Sequence, residues 1–244
     1  MEPETQFHLF GASHILALVI LGAGIWFLLK FLTDLPSEQT TARTRRGMAV
    51  FLISQMVFWR MVFLFQGEFS LLRDLPFHLC GFSALLLTLY LLQENQELFN
   101  ILFYWVLSGS VLALLIPDLR VDFPHPRYFS MFVSHGTSLF ILLYLVVVER
   151  KIPNENSYFK AIRWLILYGL ILAWPINLVS GSNYLFLRHV PKVDFTLIDL
   201  LPRWPWYIAI LAGFFSVLYY GMYRVVELLQ QDEDTSVRKA GYSS

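Results

Sequence analysis

The sequence predicts an all-α membrane protein: a bundle of about seven transmembrane helices, N-terminus outside and C-terminus inside. Three observations predict it: the composition, the spacing of the charges, and the bias of basic residues between alternate connections. Of 244 residues, 57% are hydrophobic and 15% charged, where a soluble domain carries about 25% charge. Seven stretches, at 12–29, 48–66, 75–92, 98–116, 128–148, 164–179 and 204–223, hold one formally charged residue between them, Arg60. Hydrocarbon is about 30 Å thick and a helix rises about 1.5 Å per residue, so runs of this length can span. Lipid offers the backbone no partners, so each span must be a helix.

The first stretch follows an acidic segment, MEPETQFHLF, where a cleaved leader would be basic, and no small-residue cleavage site succeeds it. It reads as an uncleaved first helix. The connection to the second stretch carries Lys30, Arg43, Arg45 and Arg46, and the one after the fifth carries Arg150, Lys151, Lys160 and Arg163. With Arg224, Arg238 and Lys239 after the seventh, that side collects eleven basic residues. The other side collects six: Arg73, Arg120, Arg127, Arg188, Lys192 and Arg203. Positive loops stay cytoplasmic, which sets the orientation. The third and fourth stretches are separated only by QENQE and should pack antiparallel. The sixth is short and holds Pro175, which predicts a kink just before Asn177. The longest connection, 181–203, contains Pro191 and Pro202, so part of it can fold over the outer face. Residues 1–230 form a single helical domain, and the polar tail 231–244 is expected to be disordered.

Several functions are excluded at this level. A net charge of zero and the lack of a basic run argue against nucleic-acid binding. One cysteine, Cys80, rules out an internal disulfide and a cysteine-based zinc site. No metal or other cofactor is expected.

The polar residues gather on one side. All six histidines, His8, His14, His78, His125, His135 and His189, fall in outer connections or the outer parts of helices. Counting along each stretch puts Cys80 about 7–8 Å deep, Arg60 about 9 Å and His135 about 10 Å, with Asn177 at the outer end of the sixth helix. Arg60 is costly in lipid and has no pairing side chain at helical spacing, so it either snorkels to headgroups or meets a partner from elsewhere. Cys80 has no base on its own helix. His78, four residues after Asp74, suits an Asp74–His78 pair that ties down the start of the third helix. His135 is the histidine at matching depth; it is either an interhelical hydrogen bonder or a base that raises the reactive thiolate population. Its own helix has no carboxylate to orient it.

Leu75-Pro76-Phe77-His78-Leu79-Cys80, then His135-Gly136, then Gly181-Ser182-Asn183-Tyr184 resemble the YwaF-type bacterial integral membrane proteins and their animal relative, transmembrane protein 164, a phospholipid acyltransferase. The resemblance covers about residues 7–228 and places the chain in a bacterial cytoplasmic membrane. It implies an acyltransferase that moves a fatty acyl chain between phospholipids through a cysteine thioester, with a phospholipid donor and a lysophospholipid acceptor as membrane partners. It implies Cys80 as nucleophile and His135 as base. Arg60, His78, Asn177 and Asn183 would then bind the substrate headgroup or the developing oxyanion. A lipid hydrolase uses the same chemistry with water as acceptor. The alternative is a small-solute transporter or binding protein with a structural cysteine, although the spans contain no carboxylate to carry a coupling ion.

Overall fold

The computed structural model describes residues 6–34, 38–190 and 200–241, with side chains through Leu228 except at 38–40. Lys192 and Pro191 lie outside the described residues. The elements are α1 (Ala12–Thr33), α2 (Glu38–Phe65), α3 (Leu79–Gln93), α4 (Gln96–Leu115), α5 (Pro126–Val147), α6 (Ser157–Tyr168), a π-helical segment (Gly169–Ala173), α7 (Trp174–Ser180), a 3-10 turn (Tyr184–Phe186) and α8 (Trp206–Gly241). Among the described residues, six passes are long and apolar enough to cross a membrane, α6 to α7 counting as one, and α3 is a shorter apolar helix of 15 residues. The backbone of α8 continues as helix to Gly241, through most of the stretch whose composition predicts disorder.

Helix α4 is the centre. It packs against α3, α5 and α6, while α2 lies across α3 and α5, α1 rests on α5, and α8 rests on α6. Close approach depends on small residues, as it does between helices in lipid. Ala161 and Ser157 of α6 are fully buried; the Ala161 carbonyl accepts from Trp105 Nε1 at 3.1 Å, and Ser157 Oγ meets Tyr104 Oη at 2.8 Å. Gly136 does the same for α1. A Cβ there would sit 2.7 Å from Leu21 Cδ2, so the bare glycine lets the first helix touch the fifth.

Two expectations change in detail. The third stretch does not become helical at 75, because Pro76 disfavours helix in the residue before it and has no N–H to donate. Residues 75–77 instead make a tight turn, the Phe77 N–H donating to the Leu75 carbonyl at 2.8 Å, His78 is extended (φ −70°, ψ 148°), and α3 starts at Leu79. At about 22 Å, α3 is short of the hydrocarbon thickness, and the segment 75–78 completes the pass. Irregular backbone at that depth is tolerated when protein covers it; Tyr168 Oη donates to the Phe77 carbonyl at 2.7 Å, and Tyr184 lies against both the Phe77 and the His78 rings.

The sixth pass begins at Ser157, well before 164, and accommodates Pro175 without a break. A proline ring collides with the carbonyl four residues back. The π segment widens the helix there, with the Trp174 N–H donating to the Gly169 carbonyl and Pro175 placed in the first turn of α7.

At the end of the bundle opposite His78, Arg45 of α2 pairs with Glu149 at 2.7 Å and with Glu94, tying α2 to the ends of α3 and α5. The Arg45 and Glu149 side chains are 11% and 4% exposed. Removing one partner of a buried pair strands the other charge, at about 3–5 kcal/mol, whereas the exposed Lys160–Glu97 pair is worth about 0–1 kcal/mol. Arg45→Ala should therefore lower the thermal unfolding midpoint in detergent far more than Lys160→Ala. Equal shifts would show that the Arg45 cluster does not hold the helices.

Candidate functional site

A cavity of about 1700 Å³ opens between α2, α3, α4, α5, the sixth pass and α8. It is far larger than the roughly 300–1,000 Å³ that small-molecule sites occupy, and most of its wall is aliphatic or aromatic. Ile166, Leu170, Ile210 and Phe214 line it and are also exposed, so it is not sealed from the bundle surface. A smaller pocket of about 250 Å³ adjoins it, sharing Arg73, His78, Asp118, Arg120 and Phe186. We call this end, with the loops 66–78, 116–125 and 181–190, the site face.

Cys80, His135, Arg60 and His78 all line the large cavity. Cys80 is the second residue of α3. Its Sγ packs on α4 where Gly109 has no side chain, 3.4 Å from where a Cβ would stand. The first intrahelical bond of α3 runs from the Phe82 N–H to the His78 carbonyl at 3.0 Å. The amides of Leu79, Cys80 and Gly81 thus precede the helical ladder, and no side-chain cap takes them. Gly81 is needed for a second reason, since a Cβ would lie 3.0 Å from Pro76 Cα.

His135 is oriented by its own helix after all. Its Nδ1 lies 2.8 Å from the Met131 carbonyl. A carbonyl can only accept, so Nδ1 carries the proton and Nε2 keeps its lone pair. The sulfur and the imidazole share the cavity wall without a hydrogen bond between them. Arg60 likewise finds a partner on its own helix, where Nη1 donates to the Met56 carbonyl at 2.8 Å. Side-chain spacing concealed both contacts, because the acceptors are backbone carbonyls.

The two asparagines lie elsewhere. Asn177 is fully buried, its Nδ2 donating to the Tyr184 carbonyl at 2.9 Å and its Oδ1 accepting the Tyr184 N–H at 2.7 Å. Both ends of the amide are occupied in closing the turn after α7, so it does not face the cavity. Asn183 lines only the small pocket and organises its own loop, accepting from the Arg188 and His189 amides and donating to the His189 carbonyl. His14 is also structural, with Nε2 on the Leu114 carbonyl at 2.8 Å and Nδ1 accepting the Phe10 N–H at 3.0 Å.

Asp74 does not pair with His78 by a hydrogen bond. Its partner is Arg127, at the start of α5. Arg127 Nη1 reaches Asp74 Oδ1 at 2.9 Å, Nε reaches Glu68 Oε2 at 3.1 Å, and Nη2 reaches the Glu68 carbonyl at 2.8 Å. The guanidinium stacks 4.2 Å over the Phe63 ring. Arg127 thus fastens the segment that leads into Cys80 to the first turn of α5. The available signal was two carboxylates in one short connection facing an arginine at a helix start. Burial acts to raise the Asp74 carboxyl, but Arg127 and the Ser70 N–H outweigh it and hold it below its ordinary range. A depressed carboxyl gives stability that is present above its unfolded value of about 3.9 and is lost as pH falls through the folded value. Acid-induced loss of the wild-type fold should therefore include an Asp74 component below about pH 4. Asp74→Asn should lower stability at pH 7 and flatten that acid limb; an unchanged limb would mean that Asp74 is not held by Arg127.

Residues 9–223 match the TMEM164 family. A protein of Treponema pallidum (strain Nichols), described as an uncharacterized protein, is 28% identical over 190 residues, covering 75% of each chain. No solved structure matches. With the family match spanning nearly every helix described above, this integral membrane protein belongs to the TMEM164 family.

Proposed function

We propose that the protein is a membrane-embedded acyltransferase that moves a fatty acyl chain between phospholipids by way of a Cys80 thioester, with its site face toward the outer leaflet of a bacterial cytoplasmic membrane. The observation that carries this reading is the composition of the cavity wall. The thiol of Cys80 and the imidazole of His135, whose Nε2 is free, border a space larger than the usual small-molecule site and open at exposed apolar residues.

The chemistry follows from those groups. A donor phospholipid enters with its chains in the aliphatic cavity and its phosphate near Arg73, Arg120 and His78 at the smaller pocket, with Arg60 on the cavity wall nearby. The Cys80 S–H proton passes to His135 Nε2 as sulfur bonds to the ester carbonyl carbon. The resulting oxyanion draws on the Cys80 and Gly81 amides at the uncapped start of α3. The C–O bond breaks, and His135 returns the proton to the departing alkoxide. The acceptor alcohol then gives its proton to His135 as its oxygen bonds to the thioester carbon; the C–S bond breaks, and His135 protonates the departing sulfur, which restores the thiol. Water as acceptor makes the same site a hydrolase.

Cells fed an alkyne-tagged fatty acid should yield purified protein with a hydroxylamine-labile label. Cys80→Ala should bring it to background, and His135→Ala should slow its formation by about 10²–10⁴-fold. Equal labelling of wild type and Cys80→Ala would end the reading and leave a solute-binding role for the cavity.

A further inference from the structure

Four buried side-chain atoms have neither a hydrogen-bond nor an ion-pair partner among the described residues, and two of them lie in the wall of the large cavity: Gln55 Nε2 and Trp59 Nε1. Both are on α2, four residues and about 6 Å of rise apart, and so share one face of the helix. Gln55 is 7% exposed. Ser134 of α5 donates to Gln55 Oε1 at 2.9 Å, which leaves the amide hydrogens unmet on the other end. The indole nitrogen can only donate. Two unmet buried donors on one face of an apolar cavity call for an acceptor, since buried polar groups are rarely left without one. The remaining two, on Ser83 and Asn100, do not line the cavity.

We propose that Gln55 and Trp59 form a receptor for the carbonyl oxygen of an ester-linked acyl chain. The donors are neutral, which suits a neutral oxygen; an anionic head is served by the guanidiniums nearer the site face. Along α2 the order from that face inward is Arg60, Trp59, Gln55, with Gln55 about 7.5 Å deeper than Arg60. In an amphiphile with its head at the face, the first acceptor below the head is the ester linkage. The identity of the occupant rests on the acyl-transfer reading above; the need for an acceptor does not. Ser134 acts as a positioning residue by fixing which end of the amide points inward.

The test is competition for the full chain in detergent, read by native mass spectrometry, between dioleoyl phosphatidylcholine and its dialkyl ether analogue. The two probes share head and chain length and differ in the carbonyls. Wild type should retain the diester about five- to tenfold better, the worth of one ordinary hydrogen bond or slightly more. Trp59→Phe, which keeps the ring against Phe63, and Gln55→Leu should each bring the ratio toward one while diether binding stays unchanged. If Gln55→Leu does not fold, Trp59→Phe decides alone. No preference in wild type, as when the donors hold only water, or a preference that survives both substitutions, would overturn the proposal. Because the diester alone can acylate Cys80, the competition and both substitutions are repeated in Cys80→Ala, where only non-covalent retention is read. A Cys80→Ala protein that retains the ester preference, when no thioester forms in wild type, would remove the covalent chemistry and leave this site standing.

Discussion

Where α3 begins decides what the site can be, and the start is set by Pro76 together with Arg127. Pro76 stops the helix from forming at 75, and the freed segment needs to be held at a depth where water offers little help. Arg127 holds it from one side by gathering Asp74 and Glu68, and Tyr168, through the Phe77 carbonyl, and Tyr184, through the Phe77 and His78 rings, hold it from the other. Had the helix begun at 75, Cys80 would sit in its second turn with its amide spent on the ladder. As folded, the cysteine occupies the first turn, beside amides that the helix does not use. The 3-10 turn that covers this segment carries Leu185 and Phe186 at φ 57° and 53°. Left-handed backbone at residues with bulky side chains is costly, and such positions cluster at functional sites; both residues line the cavity.

The passes were legible in the sequence because charge is so expensive in lipid that its absence marks each span. Counting residues placed Cys80, Arg60 and His135 toward one end of their helices, and all three line the same cavity. What could not be read was the backbone. The Met56 and Met131 carbonyls that serve Arg60 and His135 leave no side-chain signature, and the π segment that absorbs Pro175 looks like a kink in any periodicity argument. Asn177 was misjudged for a related reason: an amide near a helix end is as apt to close the next turn as to face a ligand, and only the path of Tyr184 distinguishes them. Gln55 carries no charge and so does not stand out in its span, although a carboxamide there also needs a hydrogen-bond partner.

Size and chemistry together favour an acyl chain over a small solute as the guest. The cavity volume exceeds the needs of a solute pocket, its entrance is bordered by aliphatic residues that face outward, and its cations lie toward one end. A long apolar body with an anionic head matches that distribution. Membership in the TMEM164 family agrees with an integral membrane protein, and Cys80 and His135 both line the cavity.

The central claim is that the sulfur is reached through a space that accepts an acyl chain, and chain-length-dependent alkylation of the single cysteine addresses it most directly. Full-length protein is treated with an oleoyl chloromethyl ketone and with its acetyl counterpart, and covalent addition is followed by intact mass. The long-chain reagent should modify Cys80 much the faster of the two, and excess phospholipid should slow it. Equal rates for both reagents, or a sulfur that neither modifies, would contradict the account.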